Sequence, residues 1–365
     1  MKVPFFDLKR QTQALKKDVF SKFEEVVDNT AFTGGPFVEE LEGKLQTYLD
    51  INHAIAVNNG TNALYLALTA LGIKPGDEVI VPANTFVATA WAPSYLGAIP
   101  VFVDCDENTW NICPHKLEKA ITPKTKLIMA VHLYGQVADL DAIMNVANKH
   151  HIPVIEDNAQ ALGASYKDRK AGTYGVISCT SFYPGKNLGA WGEAGAAFTN
   201  DEKLAAKMRM LRNHGCEQRY HHDLVGYNMR MSGFQGAALS IKLDYLNGWI
   251  EKRQHIAKRY QSEIQCKHIK WQQAQQNSDS VYHLFVITTD QKKALLEHMK
   301  VKEVGYAFHY PIPCHLQKAY EFLNHKIGDM PNSEYLASHC VSLPIFPEMT
   351  NEEVSAVIDC LNTFL

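Results

Sequence analysis

One lysine in a glycine-rich stretch has the clearest chemical use. Lys186 lies in SFYPGKNLGAWGEAG, at the end of a strand-like run from Val176 to Phe182. A lysine amine in water has a pKa of about 10.4 and is protonated at neutral pH. Burial or a neighbouring cation lowers that pKa and frees the lone pair for Schiff-base chemistry, and glycines let the backbone approach a ligand closely. We interpret Lys186 as the residue that binds a carbonyl cofactor, most commonly pyridoxal phosphate; the alternative is a solvated loop lysine.

A carboxylate follows an upstream strand. The run from Ile152 to Glu156 is short and mostly apolar, and Asp157 comes directly after it in HIPVIEDNAQALGASY. Ligands of open α/β sheets bind beyond the carboxyl ends of the strands. There Asp157 would pair with a pyridinium nitrogen and keep it protonated, which makes the cofactor an electron sink. The alternative is that Asp157 caps the following helix.

The elements that must position these two residues alternate between strands and helices. Such alternation predicts right-handed crossovers and a mostly parallel central sheet covered by helices, an α/β fold. The predicted strands are AIAV after His53, Glu78–Pro82, Pro100–Val103, Leu127–Val131, Pro153–Glu156 and AAFT after Gly195, and the helices between and after them are Thr61–Leu71, Thr85–Leu96 and Asp201–Arg212.

The length of 365 residues predicts one large and one small domain. We place the large domain at residues 1–245, including an N-terminal helical segment, and a smaller C-terminal α+β domain at 246–365. A helix from Phe234 to Tyr260, bent near Asn247 and Gly248, connects them. Strands are predicted at Tyr282–Thr288 and Gly305–Phe308, and the last helix at Glu352–Phe364.

Composition excludes several classes of partner. A net charge of -3 gives no electrostatic reason to bind nucleic acid or an anionic membrane. The uncharged run from Val79 to Val103 is interrupted by prolines, so we interpret it as strand, helix and strand. No signal peptide is visible, and the eight cysteines show no CxxC pair, which is typical of a reducing cytoplasm.

Four stretches, taken in order, resemble one known family. IEDNAQ, SFYPGKN, GYNMRM and HYPIPCHLQ resemble the DegT/DnrJ/EryC1/StrS family of fold-type I pyridoxal-phosphate aminotransferases, which act on nucleotide-linked keto sugars. The resemblance runs from about Val3 to the C-terminus. It implies a fold-type I fold, a cofactor tethered by Lys186 with its ring nitrogen held by Asp157, and glutamate as amino donor.

A strand-to-helix turn would receive the cofactor's phosphate. In NNGTNAL, the backbone N–H groups of Gly60, Thr61 and Asn62 open a predicted helix, where an anion is favoured; the alternative is an ordinary helix cap. The resemblance places the family's phosphate cup at this turn. It also assigns Ser181 as the hydroxyl that closes the cup.

The resemblance assigns two residues to the cofactor ring. Phe86 in VPANTFVA would stack on the pyridine ring, while the alternative for a lone phenylalanine is core packing. Gln160, three residues after Asp157, would meet the ring hydroxyl. Both roles are implied by position in the family motif.

The resemblance also implies a partner and a substrate. Asn228 of GYN would reach across a dimer interface to the neighbour's phosphate, so a homodimer with shared active sites is expected, and Arg230 would help hold an anionic group of the substrate. Tyr183 stands where 4-aminating members commonly have histidine, and His309 accompanies it. This combination resembles enzymes that aminate dTDP-3-keto-6-deoxyhexoses at C3. The alternatives are a 4-keto substrate and, for His309, an interfacial histidine bonded to backbone.

Other functions fit the sequence less well. An NAD-dependent sugar oxidoreductase needs G-x-G-x-x-G between an early strand and helix, whereas GAWGEAG is spaced differently and follows the lysine. A metal site at His221 and His222 lacks a carboxylate or cysteine at ligand spacing. The set of Lys186, Asp157, Gln160 and Ser181 argues against a non-catalytic regulator, and the lysine itself against the sugar dehydratases on this fold, which carry histidine there.

Overall fold

The structure, a computed structural model, describes residues 1–364. Its strands are β1 His53–Val57, β2 Glu78–Pro82, β3 Ile99–Val103, β4 Thr125–Val131, β5 Val154–Asp157, β6 Ser165–Tyr166, β7 Arg169–Lys170, β8 Ile177–Ser181, β9 Gly195–Thr199, β10 Lys270–Trp271, β11 Ser278–Asp279, β12 Phe285–Thr288 and β13 Cys340–Leu343. Its α-helices are α1 Leu8–Asp28, α2 Pro36–Leu49, α3 Gly60–Leu71, α4 Ala88–Tyr95, α5 Pro114–Lys119, α6 Leu140–Lys149, α7 Glu202–Arg212, α8 Gly233–Leu243, α9 Leu246–Glu263, α10 Lys292–Val301, α11 Pro331–His339 and α12 Asn351–Asn362.

The main sheet confirms the expected α/β fold. Within residues 1–364 its strand order is β1-β9-β8-β5-β4-β2-β3. Strands β8, β5, β4, β2 and β3 are parallel, whereas β9 runs antiparallel to both β1 and β8. The carboxyl ends of β5 and β8 therefore lie side by side, and they carry Asp157 and the approach to Lys186.

Both faces of this sheet are buried under helices. In β1, Ala54 and Ala56 pack in the cluster that includes residues of α2 and α8, whereas Ile55 and Val57 pack in the cluster of α3 and α7. This alternation follows from the two-residue period of a strand. Because both faces are covered, the strands consist mainly of buried apolar residues, as expected for a parallel sheet.

The C-terminal region builds a smaller layer. Strands β10, β12 and β13 form a three-stranded antiparallel sheet. Its core joins apolar residues of α9, α10 and α12. Val3 lies in the same core, where its N–H donates to Glu303 and its carbonyl accepts from the N–H of Gly305. The division at residue 245 remains a prediction, but Val3 packs with the C-terminal side of it.

Two expectations about this region were wrong. The long helix does not bend near Asn247 and Gly248; it breaks between α8 and α9, where the N–H groups of Asp244 and Tyr245 bond three residues back. The predicted strand Gly305–Phe308 is reduced to a single bridge between Ala307 and Ser342. The N–H of Gly305 instead donates to the carbonyl of Val3, so the segment does not pair continuously with β13.

The uncharged run of the sequence forms β2, α4 and β3, as predicted. No helix in the described part of the chain is long and apolar enough to cross a bilayer. Across residues 1–364 the cysteines are unpaired, and no cluster of side chains suited to a metal ion occurs.

Candidate active site

Most of the predicted residues meet at one cavity of about 910 Å³, to which β5 and β8 contribute. Lys186, Asp157 and Ser181 line it from the sheet and the loop that follows it. The other predicted residues on its wall are Gly60, Thr61, Asn62, Phe86, Gln160, Tyr183 and His309. Asn228 and Arg230 do not line it.

The loop after β8 holds Lys186 in a tight turn. The N–H of Lys186 donates to Tyr183 O at 2.8 Å, and the N–H of Ala190 donates to Phe182 O at 2.8 Å. A side chain at Gly189 would overlap the carbonyl of Pro184, so this glycine is required by close approach. The ammonium of buried Lys242 donates to Gly189 O from beneath the loop. Hydrogen bonds before and after Lys186 therefore hold the backbone that carries it.

The environment of Lys186 suits an amine nucleophile. Burial lowers its pKa to about 8, and the negative charge of Asp157 opposes that shift. Desolvation disfavours the charged form, so the cavity makes the neutral amine accessible near physiological pH. A lysine that forms a Schiff base with a carbonyl cofactor needs this property.

Asp157 is buried at the end of β5 and anchored by two donors. Thr89 Oγ1 donates to its Oδ2 at 2.8 Å, and the N–H of Ala159 donates to its Oδ1 at 3.2 Å. Burial raises its pKa, while the Thr89 bond, the Ala159 bond and the charge of Lys186 act in the opposite direction. Within residues 1–364 no cation lies within 4.0 Å of this carboxylate. A protonated ring nitrogen would supply the missing positive charge, so Asp157 fits the pyridine end of the cofactor.

The N-terminus of α3 lies against Ser181. An added Cβ at Gly60 would lie 2.6 Å from Ser181 Cβ, so only glycine permits this approach. The N–H groups of Gly60 and Thr61 have no acceptor within residues 1–364, whereas the N–H of Asn62 donates to the capping side chain of Asn59 at 2.8 Å. Two free donors at a helix N-terminus beside a hydroxyl fit a phosphate group.

Gln160 and Phe86 occupy the wall near Tyr310. The Oε1 atom of Gln160 accepts from the N–H of Tyr134 at 2.7 Å, and its Nε2 donates to Tyr310 Oη at 2.9 Å. The ring of Phe86 is 49% exposed and lies 5.7 Å from that of Tyr310, which excludes the core-packing alternative. Phe86 therefore presents its ring to the cavity.

Two histidines face the cavity in the neutral form. The Nδ1 atom of His309 lies 2.7 Å from Ser342 Oγ, and burial together with the charge of Lys186 lowers its pKa to about 4. His283, which the sequence analysis missed, places Nδ1 3.2 Å from Asn187 Oδ1, and burial lowers its pKa well below the usual range. Tyr183 lies at the open side, 55% exposed.

Asn228 and Arg230 lie together outside the cavity. The guanidinium of Arg230 donates from Nε and Nη2 to Asn228 Oδ1 at 3.2 and 3.0 Å, and its Nη2 lies 3.2 Å from His214 Nε2. Asn228 is exposed. This chain does not bring either residue to its own cavity.

Sequence reasoning missed Thr89, Tyr310, His283 and Arg253. The sequence held one local signal for Thr89, a second threonine, Thr85, four residues earlier. The structure places their hydroxyl oxygens 3.0 Å apart. His283 and Arg253 come from the C-terminal region outside the quoted motifs, whereas Tyr310 lies in HYPIPCHLQ directly after His309, without a role predicted for it.

The chain matches a family model over most of its length. Residues 13–362 match the model described as the DegT/DnrJ/EryC1/StrS aminotransferase family. A dTDP-3-amino-3,6-dideoxy-alpha-D-galactopyranose transaminase of Aneurinibacillus thermoaerophilus is 40% identical, with 99% of each chain covered. A UDP-2-acetamido-2-deoxy-3-oxo-D-glucuronate aminotransferase of Pseudomonas aeruginosa is also 40% identical, with 98% of this chain and 99% of that one covered.

Solved structures share the fold. The crystal structure of S. venezuelae DesV in complex with a ketimine intermediate has a TM-score of 0.97 and 39% identity, covering 99% of this chain and 98% of that one. The Bacillus subtilis ntda structure with bound cofactor PMP (pyridoxamine phosphate) has a TM-score of 0.92 and 35% identity, covering 99% of this chain and 84% of that one.

Proposed function

Since the chain belongs to the DegT/DnrJ/EryC1/StrS aminotransferase family and is a pyridoxal-phosphate-dependent nucleotide-sugar aminotransferase, we propose that it moves the amino group of L-glutamate to C3 of a dTDP-3-keto-6-deoxyhexose. The products are a dTDP-3-amino-3,6-dideoxyhexose and 2-oxoglutarate. The observation that carries the C3 assignment is that Tyr183 and His309 line one cavity with Lys186. The A. thermoaerophilus relative, whose name gives a dTDP-3-amino-3,6-dideoxy sugar, supports the same assignment.

Different residues of the chain would bind different parts of the cofactor. When bound, the cofactor supplies a carbonyl carbon for amines and a ring that accepts the electrons of a broken C–H bond. Gly60, Thr61 and Ser181 would bind its phosphate, and Phe86 and Gln160 would contact its ring. Asn62 would support the site by stabilising the start of α3, because its N–H is bonded to the side chain of Asn59, the N-cap of that helix.

Lys186 is the group that moves protons. Its Nζ, once released from the cofactor, takes the α proton of glutamate and later returns a proton to the sugar carbon that receives the amine. A base with a pKa near the working pH is best suited to this exchange, and burial gives Lys186 a pKa of about 8. Burial lowers the pKa values of His283 and His309. Their imidazoles therefore do not take these protons at neutral pH.

Asp157 would keep the ring nitrogen of the bound cofactor protonated. Its Oδ2 accepts from Thr89 and its Oδ1 from the N–H of Ala159, so the carboxylate is held in one orientation in the wall of the cavity, where it would pair with the ring nitrogen. An ionised Asp157 beside a protonated nitrogen satisfies both charges in a buried site. This pairing would keep the ring of the bound cofactor cationic.

We further propose a homodimer whose active sites are shared. Asn228 and Arg230 lie away from the cavity of their own chain and bond to each other. In this proposal the partner's cavity receives Asn228 at the cofactor phosphate, and Arg230 assists with an anionic group of the nucleotide sugar. The sharing of residues makes the monomer incomplete as a catalyst.

The experiment offers the holoenzyme L-glutamate with one keto sugar at a time. The panel contains dTDP-linked 3-keto- and 4-keto-6-deoxyhexoses and a UDP-linked 3-keto sugar, and mass spectrometry detects the aminated product. We expect efficient turnover of the dTDP-linked 3-keto sugar alone. Turnover of only the 4-keto sugar would reject C3 in favour of C4, and preference for the UDP-linked sugar would reject the nucleotide assignment.

A further inference from the structure

A buried lysine beneath the active-site loop has no anionic partner. Lys242 of α8 is 1% exposed, and its ammonium donates to Gly189 O. No carboxylate lies within 4.0 Å of its Nζ in the described part of the chain. Glu348 is the acid whose charge acts on Lys242, yet the Glu348 carboxylate accepts from Gln11 at 3.2 Å. The ring of Trp249, 5.8 Å from Nζ, compensates the charge only in part.

This charge is costly for the stability of the fold. Burial lowers the pKa of Lys242 to about 8, so its amine is still mainly protonated at pH 7. A carbonyl oxygen satisfies a donor but does not neutralise a buried cation. Apolar side chains of similar volume often replace buried ionic groups without loss of stability. Packing against α8 therefore does not explain why this position carries a lysine.

Lys242 binds the loop at the point where the loop closes on itself. Lys186 lies on the arc from Pro184 to Gly189, and the two ends of this arc are in contact. A Cβ added at Gly189 would lie 2.2 Å from Pro184 O. The contact made by Lys242 is thus three residues after Lys186, at the end of the arc that carries it.

No backbone group replaces this contact. Within residues 1–364 no backbone N–H donates to Gly189 O. The flanking residues Leu188 and Ala190 are buried in an apolar cluster, where a carbonyl needs a donor. The N–H groups in the interior of a helix are used within the helix, so α8 can supply that donor only through a long side chain.

We propose that Lys242 is a positioning residue for Lys186. This inference rests on the proposed function, in which Lys186 binds the cofactor and moves protons. By holding Gly189 against Pro184, Lys242 fixes the arc and thereby the place from which the Nζ of Lys186 reaches the cofactor. A displacement of about 1 Å at a reacting group can cost about 10²-fold in rate. The buried charge is retained for this position and not for stability.

The test compares Lys242→Met with the unmutated holoenzyme after glutamate has released Lys186 from the cofactor. In that form only the contacts of the loop hold it, and hydrogen exchange followed by mass spectrometry reports how often its N–H groups open. We expect exchange in residues 182–190 to become about tenfold faster, because a charge-assisted hydrogen bond is lost. Exchange in the rest of the main sheet should not change. The urea midpoint of the holoenzyme should stay equal or rise, because a buried charge is removed.

The glutamate half-reaction supplies a second measurement. Stopped-flow absorbance of the cofactor, recorded as glutamate is varied, separates the limiting rate from the half-saturating concentration. We expect the limiting rate of Lys242→Met to fall about tenfold. The half-saturating concentration should change little, since Lys242 does not line the cavity. Lys242→Gln keeps a neutral donor on a side chain one atom shorter and should lose less in both measurements.

A matched control keeps the outcomes distinct. Lys207 also donates to a backbone carbonyl, that of Ala70 at 2.8 Å, and lies outside the cavity. Lys207→Met should leave the exchange of residues 182–190 and the half-reaction unchanged. If Lys242→Met does not fold, the same comparisons on Lys242→Gln decide.

Two results overturn the proposal. One is unchanged exchange in residues 182–190 of the Lys242 variant. The other is faster exchange throughout the chain together with a lower urea midpoint, which would make Lys242 a residue of general stability. Absence of any change of the cofactor absorbance on addition of glutamate to the unmutated enzyme would reject the proposed function instead.

Discussion

Glu156 Oε2 lies 2.9 Å from His132 Nε2, and both side chains are fully buried directly beside Asp157. The N–H of Ala138 donates to His132 Nδ1 at 3.2 Å, so Nε2 carries the proton and donates to Glu156. The same carboxylate accepts from the N–H groups of Gly172, Tyr174 and Gly175, each at 2.7 Å. Glu156 thereby ties the end of β5 to the segment that enters β8, and these strands carry Asp157 and Ser181.

Glu156→Gln should weaken this connection strongly. Donors lower the pKa of Glu156 against the effect of burial, and an amide cannot accept from four donors. We expect a loss of about 3 kcal/mol at pH 7, as for other broken buried charge networks, measured by urea unfolding. Because the folded-state pKa is depressed, this contribution is present above the unfolded pKa and is lost as pH falls through the folded value. The difference between the two proteins should shrink in acid.

The matched control for that experiment is Glu118→Gln. Glu118 bonds to Lys149 and His150 at the surface, so its replacement should change the unfolding midpoint little. Equal destabilisation by both substitutions would contradict the role assigned to Glu156.

Lys186→Ala should abolish amine transfer. The variant lacks the amine that binds the cofactor and the base that moves protons, and a positioned base alone is worth about 10²–10⁴-fold in rate. Mass spectrometry of the sugar product measures the loss. Lys167→Ala, which removes an exposed lysine paired with Asp141, is the control and should retain activity. Undiminished transfer in Lys186→Ala would refute the assignment.

Cofactor capture by the cofactor-free chain should depend on pH through Lys186. Since its pKa is lowered to about 8, the neutral fraction of the amine rises about tenfold per pH unit below that value and levels off above it. The rate of colour development after addition of pyridoxal phosphate should follow the same curve. A rate that continues to rise to the pKa of an ordinary lysine would contradict the burial argument.

Thr89→Val should impair catalysis through Asp157. The Thr89 bond lowers the pKa of Asp157 against the effect of burial, so its loss raises that pKa further. Activity that requires ionised Asp157 then falls at a higher pH than in the unmutated enzyme, and we expect kcat to drop about tenfold at pH 7. The pH profile of kcat checks this. A uniform drop with no shift of the acid limb would indicate a packing defect.

Shared active sites predict complementation between two inactive variants. Lys186→Ala and Asn228→Ala, refolded together, should give mixed dimers with one intact site and recover about a quarter of the activity. Each variant refolded alone provides the baseline. Recovery no greater than the sum of the baselines would reject the role of Asn228 in a partner's site.

Much of the sheet and of the site could be predicted from the sequence, because patterns of a few neighbouring residues mark both. The strand before Asp157 and the glycines around Lys186 are readable from a few neighbouring residues, and the structure brings those two residues to one cavity. Arg253 and His283 were not predicted, since they reach the cavity only when the C-terminal region packs against the sheet. The break between α8 and α9 was predicted too far along the chain because Gly248, a helix breaker by propensity, lies inside α9.

The pairing of Val3 with the segment around Val304 has a consequence for biosynthesis. Because translation runs from the amino end, Val3 is made before Val304 and cannot pair with it until all the residues between them have been made. Closing so long a loop comes late in folding. Phe5 and Phe6, which follow Val3, line the cavity, so we expect the catalytic pocket to be completed late in folding.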